Sequence, residues 1–224
     1  MVTKTKIINF VGGPGVGKST TALGVAYNLK KRLRNIEYVA EYAKDVTWEG
    51  THALLENQIH IFSEQFRRQF RLIDHVELVV TDSPLILSCV YHDYALHKLP
   101  APDYIQAAKL FMLETYRQFD NMTYLIKGGI RPYNPVGRNQ TKEEAEKVHK
   151  ATIVFMEWHG IPYQEIEPAD PGIAHVLRDL GIEPDDAQQR LDEALALIAK
   201  FEKFHSAMPY DINEVLGIER NEDS

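Results

Sequence analysis

Three adjoining stretches decide how this chain is read: Lys6-Ile-Ile-Asn-Phe-Val11, Gly12-Gly-Pro-Gly-Val-Gly-Lys-Ser19 and Thr20-Thr-Ala-Leu-Gly-Val-Ala26. The first is a short apolar run of β-branched and aromatic residues stopped by glycine, the pattern of a buried strand. The second matches G-x-x-x-x-G-K-[ST] in full, and the third continues it as a helix expected to reach about Arg34. Strand, glycine-rich loop and helix in that order form a phosphate-binding device. Glycine lets backbone N–H groups turn inward into a nest for phosphate oxygens. The helix start at Gly17 adds unpaired N–H donors and the positive end of a dipole. Lys18 brings an ammonium to the β- and γ-phosphates, and Ser19 offers its hydroxyl to Mg²⁺. The expected ATP contacts are therefore Gly13, Pro14, Gly15, Val16, Gly17, Lys18, Ser19 and Thr20. Thr20 and Thr21 otherwise read as first-turn residues, with Thr20 in reach of an α-phosphate.

Outward from the loop, strands and helices alternate. Glu37–Glu41 reads as a second strand. His52–Asp74 reads as one long amphipathic helix, because Leu55, Ile59, Phe62, Phe66, Phe70 and Ile73 recur at spacings of four and three. Val76–Thr81 is a third strand, apolar on both faces as in the middle of a parallel sheet. Pro84 opens a helix to about Leu96, and Asp103–Phe119 forms another. Met122–Ile126 is the fourth strand. Thr141-Lys-Glu-Glu144 is a capping-box sequence that starts a helix running to His159, with Gly160 as its stop. Ile161–Ile166 is the fifth strand, a short helix follows the turn at Pro168–Gly172, and a last helix runs from Pro184 to about Phe204. The fold predicted is α/β: a three-layer α/β/α arrangement around a five-stranded, mainly parallel sheet of the P-loop NTPase type. It spans residues 1–207 as a single domain, with a lid at about 128–141 and a polar tail over 208–224.

Composition agrees with a globular domain of this size: 224 residues, 44% hydrophobic and 25% charged. The net charge of -7 argues against tight, non-specific nucleic-acid binding, which requires many phosphate-neutralising side chains, while leaving room for a local basic groove. Cys89 is the only cysteine, so no intrachain disulfide forms, as in a reducing cytoplasm. The first residues do not resemble a signal peptide, and no apolar stretch approaches membrane-spanning length. The nine histidines lack metal-site spacing and read as structural or surface residues.

Three further features carry chemistry. Asp82 ends an apolar strand, where a carboxylate reaches the Mg²⁺ shell opposite the phosphate loop; the alternative, with Ser83 and Pro84 behind it, is a cap for the next helix. Glu41 ends the second strand and either accepts a proton from an acceptor hydroxyl or pairs with a lysine such as Lys44. Arg131-Pro-Tyr-Asn-Pro-Val-Gly-Arg138 lies in a Gly/Pro-punctuated stretch, and two guanidinium groups there suit a lid that closes over the phosphates. Tyr133 either stacks on a base or packs this loop. Gln58, Gln65 and Gln69 border the apolar stripe of the long helix, as boundary residues or as readers of a base edge. Arg67, Arg68 and Arg71 form a solvated face or a patch for an acceptor phosphate or nucleic acid.

The chain has no N-K-x-D guanine-specificity motif and no ABC signature, and it is short for a motor ATPase. With Gly12–Ser19, Glu41, Asp82, Arg131 and Arg138 it resembles the thymidylate-kinase-like group of nucleoside and nucleotide kinases. More narrowly, Gly12–Thr21, Glu41-Tyr-Ala-Lys-Asp45, Thr81-Asp-Ser-Pro84 and Arg131–Gln140 are similar to a bacteriophage group of P-loop kinases. That group includes the 5-hydroxymethyluracil DNA kinases, which phosphorylate the base hydroxymethyl group in phage DNA on the way to hypermodified thymidine. The resemblance runs from about Lys6 to Ile166. It implies ATP and Mg²⁺ as cofactors, Ser19 and Asp82 around the metal, Lys18 on the phosphates, and Arg131 and Arg138 as the lid. It further implies a nucleoside-like acceptor, presented flipped out or single-stranded if it lies in DNA, and a cytoplasmic site of action, in the host if the chain is phage-encoded. Glu41 or Asp82 takes the hydroxyl proton. The alternatives are a kinase of free nucleosides or nucleotides and an ATP-hydrolysing switch. The sequence leaves the oligomeric state open.

Overall fold

The computed structural model describes residues 4–95, 102–128, 133–134, 139–183 and 200. The chain divides into a compact unit, Met1–Ile182, and a C-terminal unit, Glu183–Ser224. The expected last helix and tail fall in the second unit, outside the described residues apart from Lys200.

In the first unit the strands are β1 (Lys6–Val11), β2 (Ile36–Val39), β3 (Leu78–Thr81), β4 (Asp120–Ile126) and β5 (Gln164–Ile166). They form one sheet in the order β2-β3-β1-β4-β5, with every pairing parallel. The helices are α1 (Lys18–Lys31), α2 (Tyr42–Trp48), α3 (Gln58–Phe70), α4 (Ile86–Ala95), α5 (Pro102–Arg117), α6 (Lys142–Trp158) and α7 (Asp170–Asp179). Alternation along β1 sets the layers. Ile8 and Phe10 point to one face, where they pack with Ala22, Val25 and Leu29 of α1 and Val176 and Leu177 of α7. Val11 points to the other, against Phe62 of α3, Ile86 and Cys89 of α4, Met112 of α5 and Met156 of α6. The sheet is thus covered on both sides, as its apolar strands require. No described helix is long and apolar enough to cross a membrane.

Several elements differ from those the sequence suggests, and three of the differences have a local reason. The long helix over His52–Asp74 is broken into a 3₁₀ turn at His52–Glu56 and α3. Asn57 separates them, because its side-chain oxygen accepts the His60 N–H at 3.1 Å and caps α3. α2 has no counterpart in the sequence reading: only Val46 in it is fully buried, so it shows no apolar stripe. β5 begins at Gln164 rather than Ile161, since the Ile161 N–H is spent on the Met156 carbonyl (2.9 Å) in the turn that ends α6 and Pro162 has no N–H for a ladder. The capping box at Thr141 is present as read, with both reciprocal hydrogen bonds formed.

Candidate nucleotide-binding site

The central strand β1 runs straight into the glycine loop, which lies at the carboxyl edge of the sheet where open α/β sheets hold ligands. Gly17, immediately before α1, has φ 104, a left-handed conformation natural to glycine, and turns the chain into the helix. Gly13 is required by space instead: a Cβ there would lie 2.4 Å from the Ala145 carbonyl oxygen of α6. Lys18 folds its ammonium back over the loop and donates to the Gly12 and Gly13 carbonyls, each at 2.9 Å. Pro14 through Ser19 are partly exposed and Thr20 is exposed, so the loop presents an accessible rim. Thr21 anchors the loop from below; its hydroxyl donates to the Gly17 carbonyl (3.0 Å) and accepts the Ala169 N–H (2.9 Å).

One strand away, β3 pairs with β1 through Asn9 and Thr81, and Asp82 follows directly. Asp82 is only 3% exposed, and its Oδ1 has no hydrogen-bond partner. A buried carboxylate oxygen left unpaired is costly unless something else completes it. The side chain does not cap α4 through that oxygen, so the cap reading of Asp82 leaves it unexplained. The Thr81 hydroxyl stitches this edge by donating to the Val39 carbonyl (2.9 Å) and accepting the Ser83 N–H (3.1 Å).

Glu41 sits two residues beyond the end of β2, as the N-cap residue of α2, rather than within the strand. Asp82 and Glu41 both act on the half-buried Tyr38 phenol, whose pKa is pushed far up by burial, then by the charge and hydrogen bond of Asp82, then by the charge of Glu41. Gln65, 2% exposed, brackets Glu41 from α3. Its Oε1 accepts the Tyr42 N–H (3.0 Å) and its Nε2 donates to the Ala40 carbonyl (3.3 Å). Gln69 reaches the Ser83 carbonyl at 3.4 Å, and Gln58 donates to the Leu55 carbonyl at 2.6 Å. These amides are engaged with backbone and lie inside the core rather than at the boundary with solvent that the sequence suggests. Arg68 pairs with Asp45 at 2.5 Å and lies over the Tyr42 ring, while Arg67 pairs with Glu64 at 3.0 Å.

Arg131 and Arg138 lie outside the described residues. Of the same stretch, Tyr133 donates its hydroxyl to the Gln140 carbonyl at 2.6 Å, a loop-packing contact. Asn139 donates to the Thr47 hydroxyl of α2 at 2.8 Å.

The AAA-domain family profile matches residues 7–171, from β1 into α7. The chain belongs to the AAA-domain family. No curated protein matches it. Among solved structures, NadR in complex with NR is similar with a TM-score of 0.63 at 15% identity, covering 82% of this chain and 54% of NadR. NadR in complex with NAD and AMP-PNP is similar with a TM-score of 0.62 at 13% identity, covering 81% and 51%. Deoxyadenosine kinase from M. mycoides with bound dATP gives a TM-score of 0.49 at 16% identity, covering 80% and 100%. The chain thus spans about half the length of the NadR chains it matches. At these identities the likeness is one of fold alone.

One histidine that the sequence marks only as structural or surface lies beside the phosphate loop of this AAA domain. His149, on α6, accepts the Gly13 N–H on its Nδ1 at 3.1 Å. Its position was legible as a polar interruption of the buried stripe Ala145, Val148, Thr152, Phe155 and Met156, but nothing in the sequence says which element that stripe faces.

Proposed function

We propose that the chain is an ATP- and Mg²⁺-dependent phosphotransferase that moves the γ-phosphate onto a nucleoside-like hydroxyl. The observation that carries this reading is Asp82: a buried carboxylate with an unpartnered oxygen, one strand from a complete phosphate loop. That oxygen fits a divalent cation, which Ser19 and Asp82 would hold. Bound there, Mg²⁺ supplies charge neutralisation at the β- and γ-phosphate oxygens.

The chain's own groups do the rest. Loop N–H groups and the α1 dipole receive the phosphates. Lys18 exchanges the Gly12 and Gly13 carbonyls for phosphate oxygens. The acceptor hydroxyl oxygen attacks the γ-phosphorus in line, and the bond to the β,γ-bridging oxygen breaks to release ADP. The hydroxyl proton passes to Glu41 or Asp82; their convergence on Tyr38 supports either as the base. Arg131 and Arg138 are assigned to stabilise the equatorial oxygens from a lid.

For the acceptor, the motif resemblance favours the hydroxymethyl group of 5-hydroxymethyluracil in phage DNA, on the way to hypermodified thymidine. A free nucleoside or nucleotide is the second reading, favoured by likeness to NadR structures that hold NR or AMP-PNP. Incubation with γ-labelled ATP and three acceptor sets (hydroxymethyluracil DNA, free nucleosides, nucleotides) tests this. Label in DNA supports the first acceptor, and label in small molecules supports the second. Free phosphate with every acceptor left unlabelled contradicts the kinase reading and leaves an ATP-hydrolysing switch.

A further inference from the structure

The phosphate loop rests on a residue outside its motif. His149 lies about two turns into α6, and α6 touches the loop closely at two points. A Cβ on Gly13 would stand 2.4 Å from the Ala145 carbonyl oxygen and 2.8 Å from the His149 Cβ. The imidazole fills the slot between the loop and the end of β4: a Cβ on Gly12 would meet Nδ1 at 3.3 Å, and one on Gly128 would meet Nε2 at 3.2 Å. In that slot Nδ1 accepts the Gly13 N–H at 3.1 Å. A ring nitrogen that accepts an N–H carries no proton, so the ring is neutral with its hydrogen on Nε2. Gly13 therefore has its amide committed to α6 while its carbonyl accepts from Lys18.

We propose that His149 is a positioning residue of the phosphate loop, holding its first turn in the triphosphate-binding shape when neutral and releasing it when protonated. This rests on the reading of Gly12–Ser19 as the triphosphate site. Protonation of Nδ1 would set a donor against the Gly13 donor, and the fastening would be lost. The charged groups that act on the ring are Lys18, at the start of α1, and Glu165, on β5. Burial and then Lys18 hold its pKa below the ordinary imidazole value, and Glu165 opposes them. The neutral ring is thus favoured around neutral pH, and the fastening fails on acidification.

The test is titration of a fluorescent ATP analogue with Mg²⁺ between pH 8 and pH 5, on the wild type, His149→Asn and His149→Ala, with circular dichroism at each pH. Asparagine places a non-titrating amide oxygen near the position of Nδ1. Acidification should weaken the wild type about fivefold to tenfold more than His149→Asn, the loss expected for one hydrogen bond; titration of the nucleotide itself is common to both. At pH 8 His149→Asn should bind close to wild type, and His149→Ala about fivefold to tenfold more weakly. Nitrogen-15 spectra of the imidazole should show the Nε2–H tautomer at pH 8. Equal pH profiles for wild type and His149→Asn, tighter wild-type binding in acid, or the Nδ1–H tautomer would each overturn the proposal. If His149→Ala does not fold, the asparagine profile and the tautomer decide. Absence of nucleotide binding by the wild type at every pH would instead overturn the phosphate-loop reading beneath it.

Discussion

Replacing Gly13 by alanine separates a loop glycine pressed against helix backbone from a helix glycine pressed against a side chain. The added methyl would stand 2.4 Å from the Ala145 carbonyl oxygen, 2.8 Å from the His149 Cβ and 3.1 Å from the His149 amide nitrogen. Ordinary contact begins near 3.4 Å, so the overlap with Ala145 is about 1.0 Å (3.4 − 2.4). The obstacle is helix backbone, which cannot rotate aside as a side chain can. Overpacking of this kind costs about 1–3 kcal/mol, and a backbone obstacle places Gly13→Ala near the upper end, about 3 kcal/mol. In a chain of this length that is a fall of about 6–12 °C in Tm. Gly24→Ala is the control. Its methyl would also be crowded, 2.2 Å from the Ile173 Cδ1, but that atom is the far end of a flexible side chain. Gly24 lies within α1, where alanine is worth about 0.5–1 kcal/mol over glycine. The net change there should be within about 1 kcal/mol of zero. Urea unfolding of both variants, with m-values checked for constancy, measures the difference. A cost for Gly13→Ala below about 1 kcal/mol, or one smaller than that of Gly24→Ala, refutes the close docking of α6 on the loop.

Asp82→Asn should leave the ligand-free protein as stable as wild type or more so, because it removes a buried charge with one oxygen unpartnered, while turnover falls at least about 100-fold; a lowered melting temperature would make the carboxylate structural. Gln65→Leu keeps the bulk but strands the Tyr42 N–H and the Ala40 carbonyl, costing about 2 kcal/mol. It should lower kcat more than it raises the KM for ATP, and an unchanged kcat would show that the turn carrying Glu41 needs no bracket. Lys18→Ala should lower turnover by orders of magnitude with an unaltered circular dichroism spectrum. Near-normal turnover would remove Lys18 from the reaction.

What the sequence discloses about this molecule is what lies close together along the chain. The phosphate loop is read in one glance because its strand, glycines, lysine and helix are consecutive. The capping box at Thr141 is equally local, and β3 declares itself by being apolar on both faces. α2 escapes because seven residues with one buried side chain carry no periodicity. The break at Asn57 escapes because an apolar stripe runs across it, and only the side-chain cap shows that the helix starts afresh. The site's supports are long-range pairings: Gly13 meets His149 across 136 positions, and Thr21 meets Ala169 across 148. Gln65 reads in the sequence as a boundary residue, whereas it is buried and holds backbone of the turn around Glu41, 23 or more positions away. Asp82 is the intermediate case: its place after β3 is visible in the sequence, and its unpartnered oxygen only in the fold.

Calorimetric titration of ATP into the folded protein, with and without Mg²⁺, bears most directly on the claim that this loop grips a triphosphate with a divalent cation at Asp82. The account predicts saturable binding that strengthens with Mg²⁺, and loss of that strengthening in Asp82→Asn. No heat of binding at millimolar nucleotide, or binding indifferent to both Mg²⁺ and Asp82, would contradict it.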